Sequence, residues 1–326
     1  MKKVCFIIPY FGKFPNYFQL FLQSCAKNTD YQWLIFTDDN TEFNYPQNVK
    51  RILMSFSDLQ HLVSEKFEFQ VSLDTPRKLC DYKPAYGYIF ENYLSNYEYW
   101  GHCDTDIIVG NLNNFLLPLL TKNYDKIFTL GHFIIYKNNH ENNRRFMRKV
   151  KGRLLYKESF TNKNITTFDE TYGNDENVNT VFLQNEGKVF QDDYSFNTKL
   201  DESFFIQTKY NSNKKKYENI FQSSKLVLGW DSSGLFTIYN VKDKFILEEV
   251  MYVHLQQRKM KIKSDLQYNK PFIIIPNSFY SVENLPKNID EFKKIKKKTL
   301  NFQKIRIFVK WKWFGLKKKM LKLYKI

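Results

Sequence analysis

Asp104-Thr105-Asp106 stands where an aromatic run, Tyr97-Glu98-Tyr99-Trp100, gives way to the apolar Ile107-Ile108-Val109. Side chains alternate along an extended strand, so two carboxylates one residue apart share a side. Buried like charges this close repel, so one carboxyl must hold its proton unless a cation lies between them. Mg²⁺ or Mn²⁺ meets that need, because each typically takes one or two carboxylates together with substrate phosphate oxygens. A solvated turn with two acids is the plainer alternative. The apolar residues on both sides favour the metal pair, since a solvated turn is rarely wedged into core strand.

The elements before this pair follow a β–α–β–β order. Val4-Cys5-Phe6-Ile7-Ile8 is a continuous apolar run, as expected of a strand buried on both faces, and it stops at Pro9-Tyr10-Phe11-Gly12. Tyr17 to Ala26 has helical spacing. Trp33-Leu34-Ile35-Phe36 is a second strand ending in Thr37-Asp38-Asp39, and Val49 to Met54 a third. In α/β folds ligands bind beyond the carboxyl ends of the strands. The loops at Pro9, Thr37 and Asp104 all lie at such ends. Lys78 to Leu94 reads as a helix with Pro84 near a turn or its first position; Lys78 and Lys83 are surface charges or phosphate ligands.

Past Pro118, Lys126 to Leu130 and Phe133 to Tyr136 are strand candidates flanking Gly131-His132, and Asn138 to Asn164 is expected to be helical. Asp169-Glu170 is a second acidic pair, serving either as N-cap or first-turn acids of a helix over Asn177 to Phe182 or as a site. Ser224 to Gly234, Phe236 to Tyr239, Glu248 to His254 and Phe272 to Ile275 are further strands. A lone histidine on an apolar strand is ordinarily a core residue. His254 ends its strand ahead of Gln256, Gln257, Arg258 and Lys259, an edge suited to phosphate.

Composition bounds the classes. At 326 residues and 43% hydrophobic the chain can bury a large core, so disorder is not the default. The +16 net charge invites a nucleic-acid reading. Its distribution argues against one: Lys293 to Ile326 carries 14 basic and no acidic residues, leaving the body at +2. Cys5, Cys25, Cys80 and Cys103 form no zinc or redox spacing and fit reduced thiols of a cytosolic protein. The apolar run after Lys2-Lys3 is too short for a signal peptide, and none approaches the ~18 residues of a membrane span.

With these features in place, the chain resembles a metal-dependent nucleotide-sugar glycosyltransferase of the GT-A fold. The glycogenin-like and lipopolysaccharide galactosyltransferase-like retaining families share the order of motifs. An uncharacterised bacterial family linked with capsule and cell-surface polysaccharide synthesis is more similar. Its Lys-x-x-Asp-Tyr-Lys-Pro stretch is matched by Lys78, Asp81, Tyr82, Lys83 and Pro84, and its Gly-His pair by Gly131-His132. Its Phe-Asp-Glu is matched by Phe168 to Glu170, and its His-Leu-Gln-x-Arg-Lys by His254 to Lys259. The match spans roughly residues 4 to 277.

The resemblance implies a single α/β GT-A domain over 1–292, with a mixed, mostly parallel sheet. A nucleotide-sugar half would run to about 130 and an acceptor half from about 131, followed by a basic amphipathic tail over 293–326. It implies a divalent metal held by Asp104, Asp106 and His254, and diphosphate contacts from Lys83 and from Arg258 or Lys259. Pro9, Tyr10, Phe11, Thr37 and Asp38 would line the nucleotide, with Lys78 and Asp81 nearby. Asp169, Glu170 and His132 would face sugar or acceptor. The retaining relatives write the histidine motif as His-x-x-Gly-x-x-Lys-Pro-Trp, and this chain lacks its Gly, Pro and Trp. The partners implied are a nucleotide sugar, UDP-linked by resemblance, and a saccharide or lipid-linked acceptor. A sugar-nucleotide nucleotidyltransferase is the alternative enzyme class, but Pro9-Tyr10-Phe11-Gly12-Lys13 lacks its Gly-rich loop. A nucleic-acid binder would rest on the tail alone.

The tail itself has one apolar stripe, Ile305, Phe308, Val309, Trp313, Leu316, Met320, Leu323 and Tyr324, with Asn301 as an N-cap and Gly315 midway. Most lysines fall off the stripe, the pattern of a helix lying in a membrane interface. The expected location is the cytoplasmic face of the cell membrane, with a helix docked on the protein's own body as the alternative.

Overall fold

The computed structural model describes residues 3–171, 175–199, 204–211, 213–220, 226–256, 258–264, 266–298, and positions 305, 306, 309, 310, 312 and 313. The expected Tyr172 to Asn174 loop, Gln257 and most of the tail stripe, Phe308 and Leu316 to Tyr324 included, lie outside the described residues, as do Asn301 and Gly315.

The architecture is mixed α/β, in two compact units. One comprises 1–107, 111–194 and 210–218; the other comprises 108–110, 195–209 and 219–326. In chain order the strands are β1 Val4–Pro9, β2 Tyr31–Thr37, β3 Val49–Leu53, β4 Tyr99–Cys103, β5 Ile107–Val109, β6 Lys126–Ile127, β7 Phe133–Lys137 and β8 Val189–Phe190, then β9 Ser195–Thr198 and β10 Gln207–Asn211. There follow β11 Lys216–Ile220, β12 Val227–Asp231, β13 Gly234–Val241, β14 Lys244–Val250, β15 Tyr252–His254, β16 Lys261–Ile262, β17 Phe272–Ile275 and β18 Ser278–Ser281.

The first unit is built on a sheet of order β3-β2-β1-β4-β7-β6-β8. Its first four strands are parallel and β7 is antiparallel to both neighbours. Val4 to Ile7 are buried, as a strand covered on both faces requires, and Phe6 stacks on Trp33 at 5.4 Å. Helix α1, Phe18–Ala26, follows β1, and α2, Phe56–Ser64, starts from a capping box between Ser55 and Asp58.

The expected helix over Lys78 to Leu94 is broken into 3₁₀ turns alternating with α3, Leu79–Tyr82, and α4, Tyr86–Ile89. Pro84 supplies no N–H, and Gly87 lies against Trp100, whose ring would meet an added Cβ at 2.3 Å. Straight helix is thereby exchanged for a close wrap around β4. The strand expected over Lys126 to Leu130 stops at Ile127, because Phe128 turns to φ +71°. Helix α5 is Leu112–Leu120. Asn138 to Asn164 holds a 3₁₀ stretch and a short α6, Leu155–Thr161, in place of continuous helix.

In the second unit β12 to β14 form an antiparallel meander that continues through β17 and β18, giving the order β14-β13-β12-β17-β18-β16. Its core is Val227, Ile238, Ile273, Ile275 and Phe292 of the C-terminal helix, Ile289–Lys298. The strand expected over Glu248 to His254 breaks at Met251, and β14 and β15 join different sheets. One central sheet was expected; the structure has three among the described residues, since strand character is legible in a sequence and pairing partners are not. Residues 108–110 belong here: β5 neighbours β15, Gly110 N–H donates to Met251 O, and Trp230 Nε1 donates to Val109 O. Among the described residues, no helix is long and apolar enough to cross a membrane.

Candidate active site

Strand alternation sets the first side chains at the carboxyl ends of β1 and β2. Thr37 and Asp39 are buried and Asp38 between them is exposed. Asp39 accepts hydrogen bonds from Lys13 Nζ, Phe14 N, Thr41 N and Thr41 Oγ1, all within 3.1 Å. Asp38 Oδ1 accepts from Gly12 N at 2.7 Å. The two aspartates thus lace the loop after β1 to the loop after β2. Pro9 ends the pairing with Phe36, and Thr37 Oγ1 accepts from Asp39 N. Phe11 packs edge-on to Phe56 and Tyr10 stacks on Phe14. Sequence reading chose Asp38; strand periodicity from Thr37 would have pointed to Asp39 as the buried partner.

Burial opposes ionisation of Asp39, but the bonds from Lys13, Thr41 and Phe14 outweigh it and hold this carboxyl well below the usual range. A depressed folded pKa contributes stability that is complete above the unfolded value of about 4 and is lost as pH falls below it. The stability gap between wild type and Asp39→Asn, measured by urea unfolding, is therefore expected to be full at pH 6 and to narrow towards pH 3. A pH-independent gap would refute this.

Asp104 and Asp106 stand in the short turn between β4 and β5, not on the extended strand expected from sequence, because β4 ends at Cys103. A carboxylate oxygen of one lies within 4.8 Å of a carboxylate oxygen of the other. Asp104 N–H donates to His132 O, which ties the pair to the loop ahead of β7. Asp106 is buried. The Tyr10 phenol is held above its ordinary value by burial and then by the charges of Asp106 and Asp39, which puts the β1 loop in the field of the acidic pair.

Lys83 reaches the same place from the 3₁₀ turn ahead of α4. Its Nζ lies 2.7 Å from Asp104 Oδ1, 2.9 Å from Gly131 O and 3.7 Å from Asp169 Oδ2. Burial works against its charge, but Asp104 and Asp169 overcome that and hold Lys83 well above an ordinary lysine. Asp169 is itself buried, and burial lifts its carboxyl well above the usual range against the pull of Lys83. Gly131 fits between the acids because it has no side chain: an added Cβ would stand 2.2 Å from Asp169 Oδ2. Its N–H donates to Glu170 Oε2. Asp169 and Glu170 do not cap the helix at 178–184, α7; Asn177 does, accepting from Asn179 N and Thr180 N. The first-turn reading of those acids is overturned.

Lys78 and Asp81, read as nucleotide contacts, form an internal pair. Lys78 Nζ lies 2.7 Å from Asp81 Oδ2 and also donates to Ser159 O and Asn164 O. Asp81 accepts from Thr166 N and Phe168 N. Both side chains are buried, so they are committed to holding the 159–168 segment that presents Asp169. Thr167 within that segment has φ +56°, which a β-branched residue adopts only under constraint. The opposite loop, with Phe128 at φ +71°, is tied in the same way: the fully buried Lys126 donates to Phe128 O and to Asn179 Oδ1, and Asn179 Nδ2 donates to Thr129 O. Sequence reading missed Lys126 and Asn179, since nothing in a basic residue on a short strand marks it as buried.

In the second unit, His254 ends β15. Its Nδ1 meets Asn197 Oδ1 at 3.0 Å, and that oxygen also accepts from Gln256 Nε2. An acceptor there puts the proton on Nδ1 and the lone pair on Nε2, the tautomer of a ligating histidine. Arg258, read as a phosphate ligand, is buried and donates to Pro276 O and Lys199 O, with its guanidinium over Phe205. Lys259 is exposed.

Two hard carboxylate donors within 4.8 Å suit Mg²⁺ or Mn²⁺, so Asp104 and Asp106 fit the implied metal.

Residues 6–283 match a family described as "Family of unknown function (DUF6625)". No curated protein matches. Among solved structures, galactosyltransferase LgtC in complex with donor and acceptor sugar analogs is similar at 10% identity and TM-score 0.33, over 60% of this chain and 75% of that one. The glycosyltransferase GlyE of Streptococcus pneumoniae TIGR4 is similar at 11% identity and TM-score 0.28 over 60% of this chain, which spans 47% of GlyE's length.

Proposed function

The chain belongs to the DUF6625 family, and we propose that it is a glycosyltransferase that moves a sugar from a nucleotide diphosphate to a saccharide acceptor with a divalent metal. The observation that carries this reading is the paired carboxylates of Asp104 and Asp106 at the carboxyl end of a parallel strand, with Lys83 against Asp104. Motif order supports it: the GT-A resemblance rests on the same Asp-x-Asp, Gly-His, Asp-Glu and His-Leu-Gln positions.

Asp104 and Asp106 would hold Mn²⁺ or Mg²⁺. The resemblance would add His254, at the end of β15, as a third ligand. When bound, the metal acts as a Lewis acid that shields the diphosphate leaving group. Lys83 adds a fixed positive charge beside it. The exposed Lys259 would meet the outer phosphate, and Tyr10 with the Asp38 loop would line base and ribose. Asp169 and Glu170 flank Gly131 on the sugar side with His132. The resemblance is to retaining enzymes, with UDP the nucleotide it implies. A thermal-shift screen of nucleotide sugars tests the reading: a UDP-sugar should raise Tm with Mn²⁺ and fail to do so in EDTA. No shift with any nucleotide sugar in Mn²⁺ would reject it.

The tail gives the enzyme a place to work. At the described positions it is helical, and Ile305, Val309 and Trp313 expose 51%, 57% and 66% of their surfaces beside Arg306, Lys310 and Lys312. Anionic lipid contributes about 1 kcal/mol per well-placed cation, so half of the 14 basic residues suffices for peripheral binding. This matches a lipid-linked acceptor at the cytoplasmic membrane face. Full-length protein is expected to sediment with anionic vesicles and to be released by salt, whereas a chain ending near Lys293 stays in the supernatant. Equal partition of both would remove the membrane role.

A further inference from the structure

We propose that Lys83 is the resident cation of the metal site: it neutralises Asp104 until a divalent ion arrives, then yields that carboxylate while staying anchored at Gly131 O and Asp169. The inference rests on the metal-binding reading above and deepens it. It makes Lys83 a positioning residue in addition to a fixed charge.

The geometry points this way. An ammonium has three donors, and three oxygens surround this one. Two are within hydrogen-bond distance, Asp104 Oδ1 at 2.7 Å and Gly131 O at 2.9 Å, while Asp169 Oδ2 stands off at 3.7 Å. A lysine stem is flexible enough to close that remaining gap once the bond to Asp104 is lost. Asp104 is also the wetter partner: its side chain is 33% exposed, against 15% for Lys83 and 5% for Asp169. An ion from solvent therefore has readier access to Asp104 than to Lys83 or Asp169.

A divalent ion and the ammonium compete for the same carboxylate, and each raises the potential felt by the other. Lys83 thus keeps two neighbouring acids from repelling in the metal-free chain and weakens metal affinity in doing so. Its second anchor gives the exchange a consequence. Gly131 lies between Lys83 and Glu170, and Asp104 N–H holds His132 O. A shift of the ammonium towards Asp169 reaches the loop bearing Gly131-His132 and the acids expected to face the sugar. Metal loading and the sugar side of the site are then linked through one side chain.

The test is Mn²⁺ binding to the full chain, read by the loss of free-ion EPR signal, without donor or turnover. Lys83→Met is expected to bind Mn²⁺ about tenfold more tightly than wild type, the scale on which groups around a metal site tune affinity. Its metal-free Tm should be lower, and saturating Mn²⁺ should close most of that difference. Lys83→Arg should keep affinity near wild type. If Lys83→Met does not fold, Lys83→Met/Asp169→Asn, which removes the ammonium and its buried carboxyl partner together, carries the same expectation. Equal or weaker Mn²⁺ binding in the folded variant overturns the proposal and leaves the glycosyltransferase reading standing. Failure of the wild type to bind Mn²⁺ would overturn both.

Discussion

Asp106→Ala is expected to lower sugar transfer about 10³-fold or more, the scale of losing a group that stabilises transition-state charge. Asp106 is buried and has a carboxylate oxygen within 4.8 Å of one on Asp104, so alanine removes one of two hard donors without disturbing β4, whose pairing ends at Cys103. Mn²⁺-dependent donor binding should vanish with activity, and Tm without metal should hold or rise as a repulsive charge is deleted. A second readout is local. Burial and then the Asp106 charge hold the Tyr10 phenol up, so its titration should move down in the variant. Retained turnover after exhaustive EDTA treatment of the wild type would sink the metal role altogether.

The other large effect is on stability. Asp81→Ala leaves the Lys78 ammonium buried without its carboxylate and strips acceptors from Thr166 N and Phe168 N. Breaking a buried pair in this way costs about 3–5 kcal/mol. Lys78→Met in an Asp81→Asn background should recover most of it, because the amide oxygen still accepts from the backbone while no charge is left unpaired. Urea unfolding separates the two. If Asp81→Ala costs under about 1 kcal/mol, the value of an exposed pair, the pair is not the scaffold described. Turnover should fall with Asp81→Ala, since Asp169 follows the segment it holds.

The sequence disclosed the strands that carry charge better than the frame that aims them. Asp104 and Asp106 were legible because the apolar residues flanking them act locally. The pair stands in the turn between β4 and β5 and not on an extended strand, so period-2 alternation is not what brings the carboxylates together. Lys83, Gly131 and Asp169 were legible as motif positions, but their meeting around one ammonium was not, since it depends on contacts 48 and 86 positions apart in the chain. Lys78 and Asp81 look like surface or ligand charges in sequence; only the carbonyls of Ser159 and Asn164 reveal the buried pair. Arg258 carried the same ambiguity and resolved towards Pro276 and Lys199. The second unit was harder still. β12, β13, β15 and β17 fall on strands expected from sequence, whereas β9, β10, β16 and β18 were not expected, and an antiparallel meander and a crossover leave similar apolar patterns.

None of the four cysteines, Cys5, Cys25, Cys80 and Cys103, is in a disulfide, and all lie in the first unit, three of them buried. Burial and then the charges of Asp169 and Asp81 push the Cys80 thiol up to about 12, against the pull of Lys83, and burial lifts Cys25 and Cys103 as well. Alkylation proceeds through the thiolate, so the folded unit should resist iodoacetamide near pH 8 despite its four sulfurs. Label uptake then becomes a clock for opening of that unit alone, blind to anything that happens in the other. A mass shift of several adducts arriving together would mark cooperative opening, whereas one early adduct at Cys80 would mark local loosening beside Asp169.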